Sequence, residues 1–239
     1  MDVRDLGQHI SQRFDSDLDE LQSKVLKAGG LVEQQLADAL RALGEEDSGL
    51  AEAVIARDHE VNDLELEIDE DCALILARRQ PVASDLRLLI SVIKAITDIE
   101  RMGDESVRIA RMAVRHSERP QPNRPPSGVR HLGNHVRGML HDALDAFARF
   151  DLEMAARVVA EDRSVDREYE SLTRELITFM MEDPRAIPHA LDVLFSARAL
   201  ERIGDRACNI CEYVFYYVRG KDVRHEGPEA IRREAEKGL

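Results

Sequence analysis

Apolar residues in this chain recur every three or four positions over stretches of more than 25 residues, and the set of stretches occurs twice. That period lays a stripe along one face of an α-helix and leaves no room for strand alternation. In the first half, Leu18, Leu21, Val25, Val32, Leu36 and Leu43 stripe a helix over about 11–43. Leu50, Val54, Val61, Leu64, Ile68, Cys72 and Ile75 stripe a second, continuous one over about 47–79. Pro81 then precedes a third, running to about 116, with Leu89, Val92, Ile96, Gly103, Val107, Ala110 and Val114. The second half repeats the scheme. Leu132, Val136, Met139, Ala143 and Phe147 mark one helix, and Leu152, Ala155, Val158, Val165, Tyr169, Leu172 and Leu176 the next. Leu191, Leu194, Ala197, Gly204, Ala207, Cys211, Val214 and Val218 mark the last. Helices of this length with three-to-four spacing pack as bundles.

Between the halves lies SERPQPNRPPS, residues 117–127, which holds four of the eight prolines and cannot be helical. The expected fold is all-α: a tandem pair of three-helix bundles related by an internal repeat. The expected boundaries are 6–116 for the first bundle, 117–127 for the linker, 128–219 for the second bundle, and 220–239 for a polar, loose or weakly helical tail. The repeat is also visible in words. Ile99-Glu100-Arg101-Met102-Gly103-Asp104 parallels Leu200-Glu201-Arg202-Ile203-Gly204-Asp205, and Asp58-His59-Glu60-Val61-Asn62 parallels Asp162-Arg163-Ser164-Val165-Asp166.

Composition removes several function classes. Of 239 residues, 33 are Lys or Arg and 47 are Asp or Glu, a formal net charge of −14 that suits neither a nucleic-acid backbone nor anionic lipid. Three cysteines are too few for a disulfide framework. The charged start MDVRDLGQHI has no apolar core, and the longest apolar run, Leu88 to Ile93, is far below a membrane span. A cytoplasmic location is the expectation.

The acids on the stripes carry the chemistry. Glu100 and Asp104 are four apart on one helix face, where like charges repel by about 0.2–0.5 kcal/mol. They fall among Ile96, Gly103 and Val107; Glu201 and Asp205 fall likewise between Ala197 and Cys208. Asp58 lies between Val54 and Val61, and Asp162 between Val158 and Val165. Buried carboxylates need compensation. Two readings stay open: a hard cation held by oxygen ligands, or a stripe edge wetted and paired with Arg101, Arg108, Arg202 and Arg206. Mid-helix Gly103 and Gly204 point to a close approach, of another helix or of a metal cluster.

Other motifs are weaker. Cys208 and Cys211 read as core residues. His131 and His135 are four apart with no third ligand evident nearby, so a solvated or capping pair is expected. No histidine follows a Glu by three residues, which removes the motif of di-iron carboxylate oxidases. Tyr213, Phe215, Tyr216 and Tyr217 crowd one turn, for a partner surface or for packing at the bundle end.

Taken together, Arg79-Gln80-Pro81-Val82-Ala83-Ser84-Asp85-Leu86-Arg87, Asp98-Ile99-Glu100-Arg101-Met102-Gly103-Asp104 and Leu200-Glu201-Arg202-Ile203-Gly204-Asp205-Arg206 resemble the PhoU family of bacterial phosphate-uptake regulators, proteobacterial type. Gly30-Leu31-Val32-Glu33-Gln34-Gln35-Leu36, Met180-Met181-Glu182-Asp183, Asn209-Ile210-Cys211-Glu212-Tyr213 and Phe215-Tyr216-Tyr217-Val218-Arg219-Gly220 add to it, so that it covers about 6–225. The resemblance implies two three-helix bundles and a non-enzymatic negative regulator of the phosphate-starvation response. It implies as partners the phosphate-specific ABC transporter, through its ATPase subunit, and the phosphate-sensing histidine kinase, and it implies a homodimer. It also implies metal ions (Fe, Mn, Zn or Mg) at the Glu-x-x-x-Asp pairs in some members, here Glu100 with Asp104 and Glu201 with Asp205. Asp58 and Asp162 join these from stripe geometry alone. The competing expectation is a carboxylate-cluster metalloprotein with storage, hydrolytic or redox activity.

Overall fold

The computed structural model describes residues 12–118 and 128–237, and every regular element among them is helical. The first half comprises α1 (Gln12–Glu45), α2 (Ser48–Arg57), α3 (His59–Arg79) and α4 (Ser84–Ser117). The second comprises α5 (Gly128–Arg149), α6 (Leu152–Glu182) and α7 (Ile187–Arg219), with a 3-10 turn at Pro184–Ala186 before α7 and α8 (Pro228–Glu236) after it. Prolines 120, 122, 125 and 126 of the linker lie outside the described residues.

The two halves are bound most extensively through α4 and α7, which occupy the centre; α1 and α5 also meet. One continuous apolar core runs through both halves. It includes Leu36, Ile96, Ile99 and Met102 on one side and Phe147, Leu200, Ile203 and Phe215 on the other, all buried. The three cysteines are buried and unbonded, as core residues.

The repeat extends to the turns. Glu46 and Phe150, 104 positions apart, both take the left-handed conformation, with φ of 58° and 53°. Each ends a helix by the same device: Asp47 N–H donates to Ala42 O and Asp151 N–H to Ala146 O, both at 3.0 Å. Each following Asp then caps the next helix, accepting at 2.9 Å from Leu50 N–H or Met154 N–H. Where α1 crosses α5 the halves interlock reciprocally. A Cβ on Gly29 would stand 2.5 Å from a Leu144 methyl, and one on Gly133 2.6 Å from a Leu40 methyl. Each glycine is the slot for the other half's leucine.

Two expectations are corrected. The helix expected to be continuous over 47–79 is broken at Asp58, whereas its counterpart α6 is not. No Gly or Pro marks the break. Arg57 Nε donates to Ala53 O, and His59 Nδ1 is 2.8 Å from Ala56 O, so side chains occupy carbonyls that the backbone ladder would use. The tail is the other. Its α8 packs on α6, with Ile231 and Val223 buried. The aromatic turn is largely interior as well. Phe215 and Tyr213 are buried, and Tyr217 packs on Phe150 with the rings tilted by 49° and their centres 4.3 Å apart.

Candidate functional site

The acids singled out above gather into two clusters, one in each half. In the first, Asp58 stands at the α2–α3 break and Glu100 and Asp104 lie one turn apart on α4. Burial raises the Asp58 carboxyl above its ordinary range, and the Asp104 charge raises it further, against a lowering bond from Gln35. Burial likewise raises Glu100, followed by Asp104, Glu65 and Asp58. Glu65, on α3, is raised by burial, then by Asp69 and Asp104. In the second cluster Asp162 is raised by burial, then by Asp166 and Asp205. Glu201 is raised by burial, then by Asp205, with Arg198 pulling it back. Asp205 is raised by burial, then by Asp166. Each half therefore holds four carboxylates linked by pairwise repulsion: Asp58, Glu65, Glu100 and Asp104; and Asp162, Asp166, Glu201 and Asp205.

Glu65 and Asp166 went unnoticed in the sequence because they sit at different repeat positions. The counterpart of Glu65 is Tyr169 and that of Asp166 is Asn62, so the fourth acid moves by three residues between halves. The six expected residues also line the stripe edge rather than interrupt its centre: Asp104 and Asp205 are exposed, while Asp58, Glu100, Asp162 and Glu201 are half-buried. The glycines divide. A Cβ on Gly103 would be 3.2 Å from Gln35 Oε1 and 3.5 Å from Asp58 Oδ1, so this glycine makes room for the first cluster; Gly204 faces only Val165 at ordinary contact.

Both clusters hold an acceptor oxygen that nothing satisfies. Gln35 Nε2 donates to Asp58 Oδ1 at 3.3 Å, while Gln35 Oε1 is buried without a hydrogen-bond partner. Glu201 Oε1 accepts from Arg198, while Glu201 Oε2 is buried without one. All-oxygen donors, mutual repulsion and an orphaned acceptor are the donor chemistry that a hard cation would call on. As the side chains stand, no three His, Cys, Asp or Glu among the described residues are drawn in closely enough to hold a metal ion.

Two of the buried acids, Asp98 and Glu105, lie elsewhere, at the α4–α7 seam. Glu105, 5% exposed in its side chain, accepts from Arg202 at 3.1 Å and pairs with Arg108 at 3.0 Å. Asp98 accepts from Tyr213 Oη at 2.7 Å and lies 3.9 Å from Arg206. Beside them opens a groove of about 500 Å3 lined by Asp98, Arg101, Arg198, Arg202, Asp205, Arg206 and Asn209. The cysteines have no part in this chemistry; burial pushes the Cys72 thiol up to about 12 and those of Cys208 and Cys211 higher still.

Two pseudo-equivalent helical units, each with a four-carboxylate edge and joined along α4 and α7, define a tandem-bundle class of all-α protein. The PhoU domain model matches residues 25–113 and 129–214, one match per half. The chain is 52% identical to the Pseudomonas putida phosphate-specific transport system accessory protein PhoU homolog, over 97% of this chain and 90% of that one. It is 49% identical to the Escherichia coli K12 phosphate-specific transport system accessory protein PhoU, over 97% and 95%. It resembles the crystal structure of PhoU from Pseudomonas aeruginosa with a TM-score of 0.84 and 51% identity, covering 87% of this chain and all of that one. The PhoU from Streptococcus pneumoniae, a phosphate transport system regulatory protein, superposes with a TM-score of 0.81 at 33% identity, over 88% of this chain and 99% of that one. The chain belongs to the PhoU family. No helix among its described residues is long and apolar enough to cross a membrane.

Proposed function

We propose that this chain restrains phosphate uptake and the phosphate-starvation response as a cytoplasmic adaptor without catalytic turnover. Its partners in this reading are the ATPase subunit of the phosphate-specific ABC transporter and the phosphate-sensing histidine kinase. One observation carries it: identity of about half, over 97% of the chain, to relatives named for the phosphate-specific transport system. The structure supports a binding rather than a chemical role. Its conspicuous polar groups are carboxylates on helix edges, and its thiols are buried and held protonated. Exposed acids offer complementarity to a basic partner surface, which governs encounter and register. Exposed Leu66 and Leu74 on α3 offer apolar area to a second copy, in keeping with a homodimer.

In this reading the carboxylate clusters would take a cation of the Fe, Mn, Zn or Mg group once their side chains draw in. Asp58, Glu65, Glu100 and Asp104 would hold it in the first half, and Asp162, Asp166, Glu201 and Asp205 in the second. The charge supplied there would cancel the repulsion among the acids. Asp58 and Glu65 would then be tied to α4, and α6 to α7, which stiffens the surface offered to a partner.

The experiment is deletion of the gene in its own host, followed by measurement of phosphate-starvation transcripts in phosphate-rich medium. Derepression, reversed by the wild-type chain but not by one with Glu100→Gln, Asp104→Asn, Glu201→Gln and Asp205→Asn together, is the expected result. Normal repression in the deletion strain would sink the reading. Reversible iron uptake with repression intact would move the function to metal storage.

A further inference from the structure

Along the α4–α7 seam the repeat is broken in charge. The pseudo-two-fold relation carries a residue of α4 to the one 101 positions later on α7. Arg101 therefore matches Arg202, whereas Thr97 matches Arg198 and Glu105 matches Arg206. Arg202 donates to Glu105 at 3.1 Å. The symmetric counterpart of that ion pair sets Arg101 across from Arg206, two guanidiniums where the other contact has one charge of each sign. Both line the groove of about 500 Å3 described above.

The acids of the seam are committed to other partners. Glu105 is shared by Arg202 and by Arg108 at 3.0 Å. Asp98 accepts from Tyr213 Oη at 2.7 Å and from Asn209 Nδ2 at 3.4 Å. Glu201 takes Arg198. Arg206, with its side chain only 20% exposed, comes no closer than 3.9 Å to Asp98 and 4.0 Å to Glu105. It donates instead to the Arg202 carbonyl of its own helix at 3.1 Å. A guanidinium has five N–H donors, and a largely buried one without a close counterion is under-compensated. Arg101 is exposed and makes no hydrogen bond or ion pair among the described residues; it attracts Glu100 and Glu65 only at a distance.

We infer that Arg101 and Arg206, flanked by Arg198 and Arg202, bind a phosphoryl-type oxyanion in the α4–α7 groove. The charge balance selects this class. Four arginines line the groove against two aspartates, Asp98 and Asp205, an excess of two positive charges. A phosphoryl group carries about −1.5 to −2 at neutral pH and offers three strong acceptor oxygens. A carboxylate is satisfied by a single guanidinium fork and would leave the second arginine unpaired. The planar fork of arginine suits a tetrahedral oxyanion better than the point charge of lysine does. The site is opposite in sign to the carboxylate edges, and of their acids only Asp205 lines it. Free inorganic phosphate and the phosphoryl end of a larger small molecule present the same oxygens. The inference rests on the groove and not on the regulatory role proposed above, and it is read on the purified chain.

Titration calorimetry on the full chain tests it, with inorganic phosphate and ATP as probes, at fixed ionic strength and with a chelator present to keep cations off the carboxylate edges. Saturable binding of one phosphate per chain is expected if the ligand is free phosphate. Saturable ATP binding that phosphate competes away only weakly would mark the phosphoryl end of a larger molecule. In either case Arg101→Gln, an exposed change, and Arg206→Lys, which keeps the charge and removes the fork, are each expected to weaken binding by about 10–100-fold. Asp205→Asn removes a repelling carboxylate from the groove and should tighten it. Arg174→Gln takes the same charge from an exposed site on α6 and should leave affinity unchanged. Neither probe bound by wild type, affinity unchanged in Arg101→Gln, or equal losses in Arg101→Gln and Arg174→Gln would each overturn the inference.

Discussion

Replacing Glu100 by Gln should stabilise this protein at neutral pH and do nothing for it in acid. Glu100 has one same-helix repulsive neighbour, Asp104, and two on adjacent segments, Glu65 and Asp58, against one attraction, from Arg101. An i,i+4 like-charge pair is worth about 0.2–0.5 kcal/mol. Three such repulsions less one comparable attraction leave a gain of about 0.5–1 kcal/mol, or about 1–4 °C in melting temperature for a chain of this size. The pH dependence fixes the cause. Glu100 has a carboxyl raised in the folded state, so the folded state binds more protons than the unfolded one just above the ordinary carboxylate range. Its favourable contribution is complete below the unfolded value and is lost as pH rises through the folded one. Urea unfolding at pH 7 and near pH 4, with wild type and Glu100→Gln side by side, reads the gain directly. A gain of equal size at both pH values, or a loss at pH 7, would refute the argument that these acids are held together against their own repulsion. A divalent cation that neutralises the cluster should do what the mutation does and more: at one hundred times its dissociation constant it adds about 2.7 kcal/mol. Glu100→Gln should blunt that response.

Arg202→Ala removes the partner at 3.1 Å from buried Glu105, and loss of such a charge-assisted bond should cost about 2 kcal/mol in urea unfolding. A loss below about 0.5 kcal/mol, the range of an ordinary surface substitution, would mean that Arg108 and Arg206 suffice. The Glu212 carboxyl, pushed up to about 7 by burial and then by Asp222, makes stability fall as pH rises through neutrality; Glu212→Gln should flatten that slope. Asp151→Ala strips the α6 cap and should cost about 1 kcal/mol by thermal unfolding, with a matching loss for Asp47→Ala. Ile231→Ala should cost about 2 kcal/mol or more if α8 is part of the cooperative fold, and nothing if α8 frays independently.

The helical class and the duplication were legible because burial of one helix face leaves a 3.6-residue period in the chain, and here it leaves it twice. The acids at 100, 104, 201 and 205 were legible for the same reason, since they lie beside a stripe whose phase is known. Glu65 and Asp166 were not. They stand on helices whose rotation toward the cluster is set by packing, and they break the repeat by one turn. The break at Asp58 left no mark because its cause is two side chains capturing carbonyls rather than a proline or glycine. The tail helix offered only Gly227-Pro228 and one buried isoleucine, too little periodicity to register. Glu168 was out of reach as the hydrogen-bond partner of His135, because 33 residues and a turn separate them in the chain.

The reciprocal seating of Leu144 at Gly29 and Leu40 at Gly133 has a consequence for ancestry and for engineering. Within one chain it is a pseudo-two-fold contact, but each half carries both the knob and the slot. Two copies of a single half would satisfy both contacts at once and turn the pseudo-axis into a true one, as isologous dimers do. The present chain is in that sense a dimer that has been joined end to end. Within one chain the two halves need not match, and a histidine pair and two glutamates (His131, His135, Glu161 and Glu168) stand on one side of the axis where the other has Lys27, Leu31, Arg57 and Leu64.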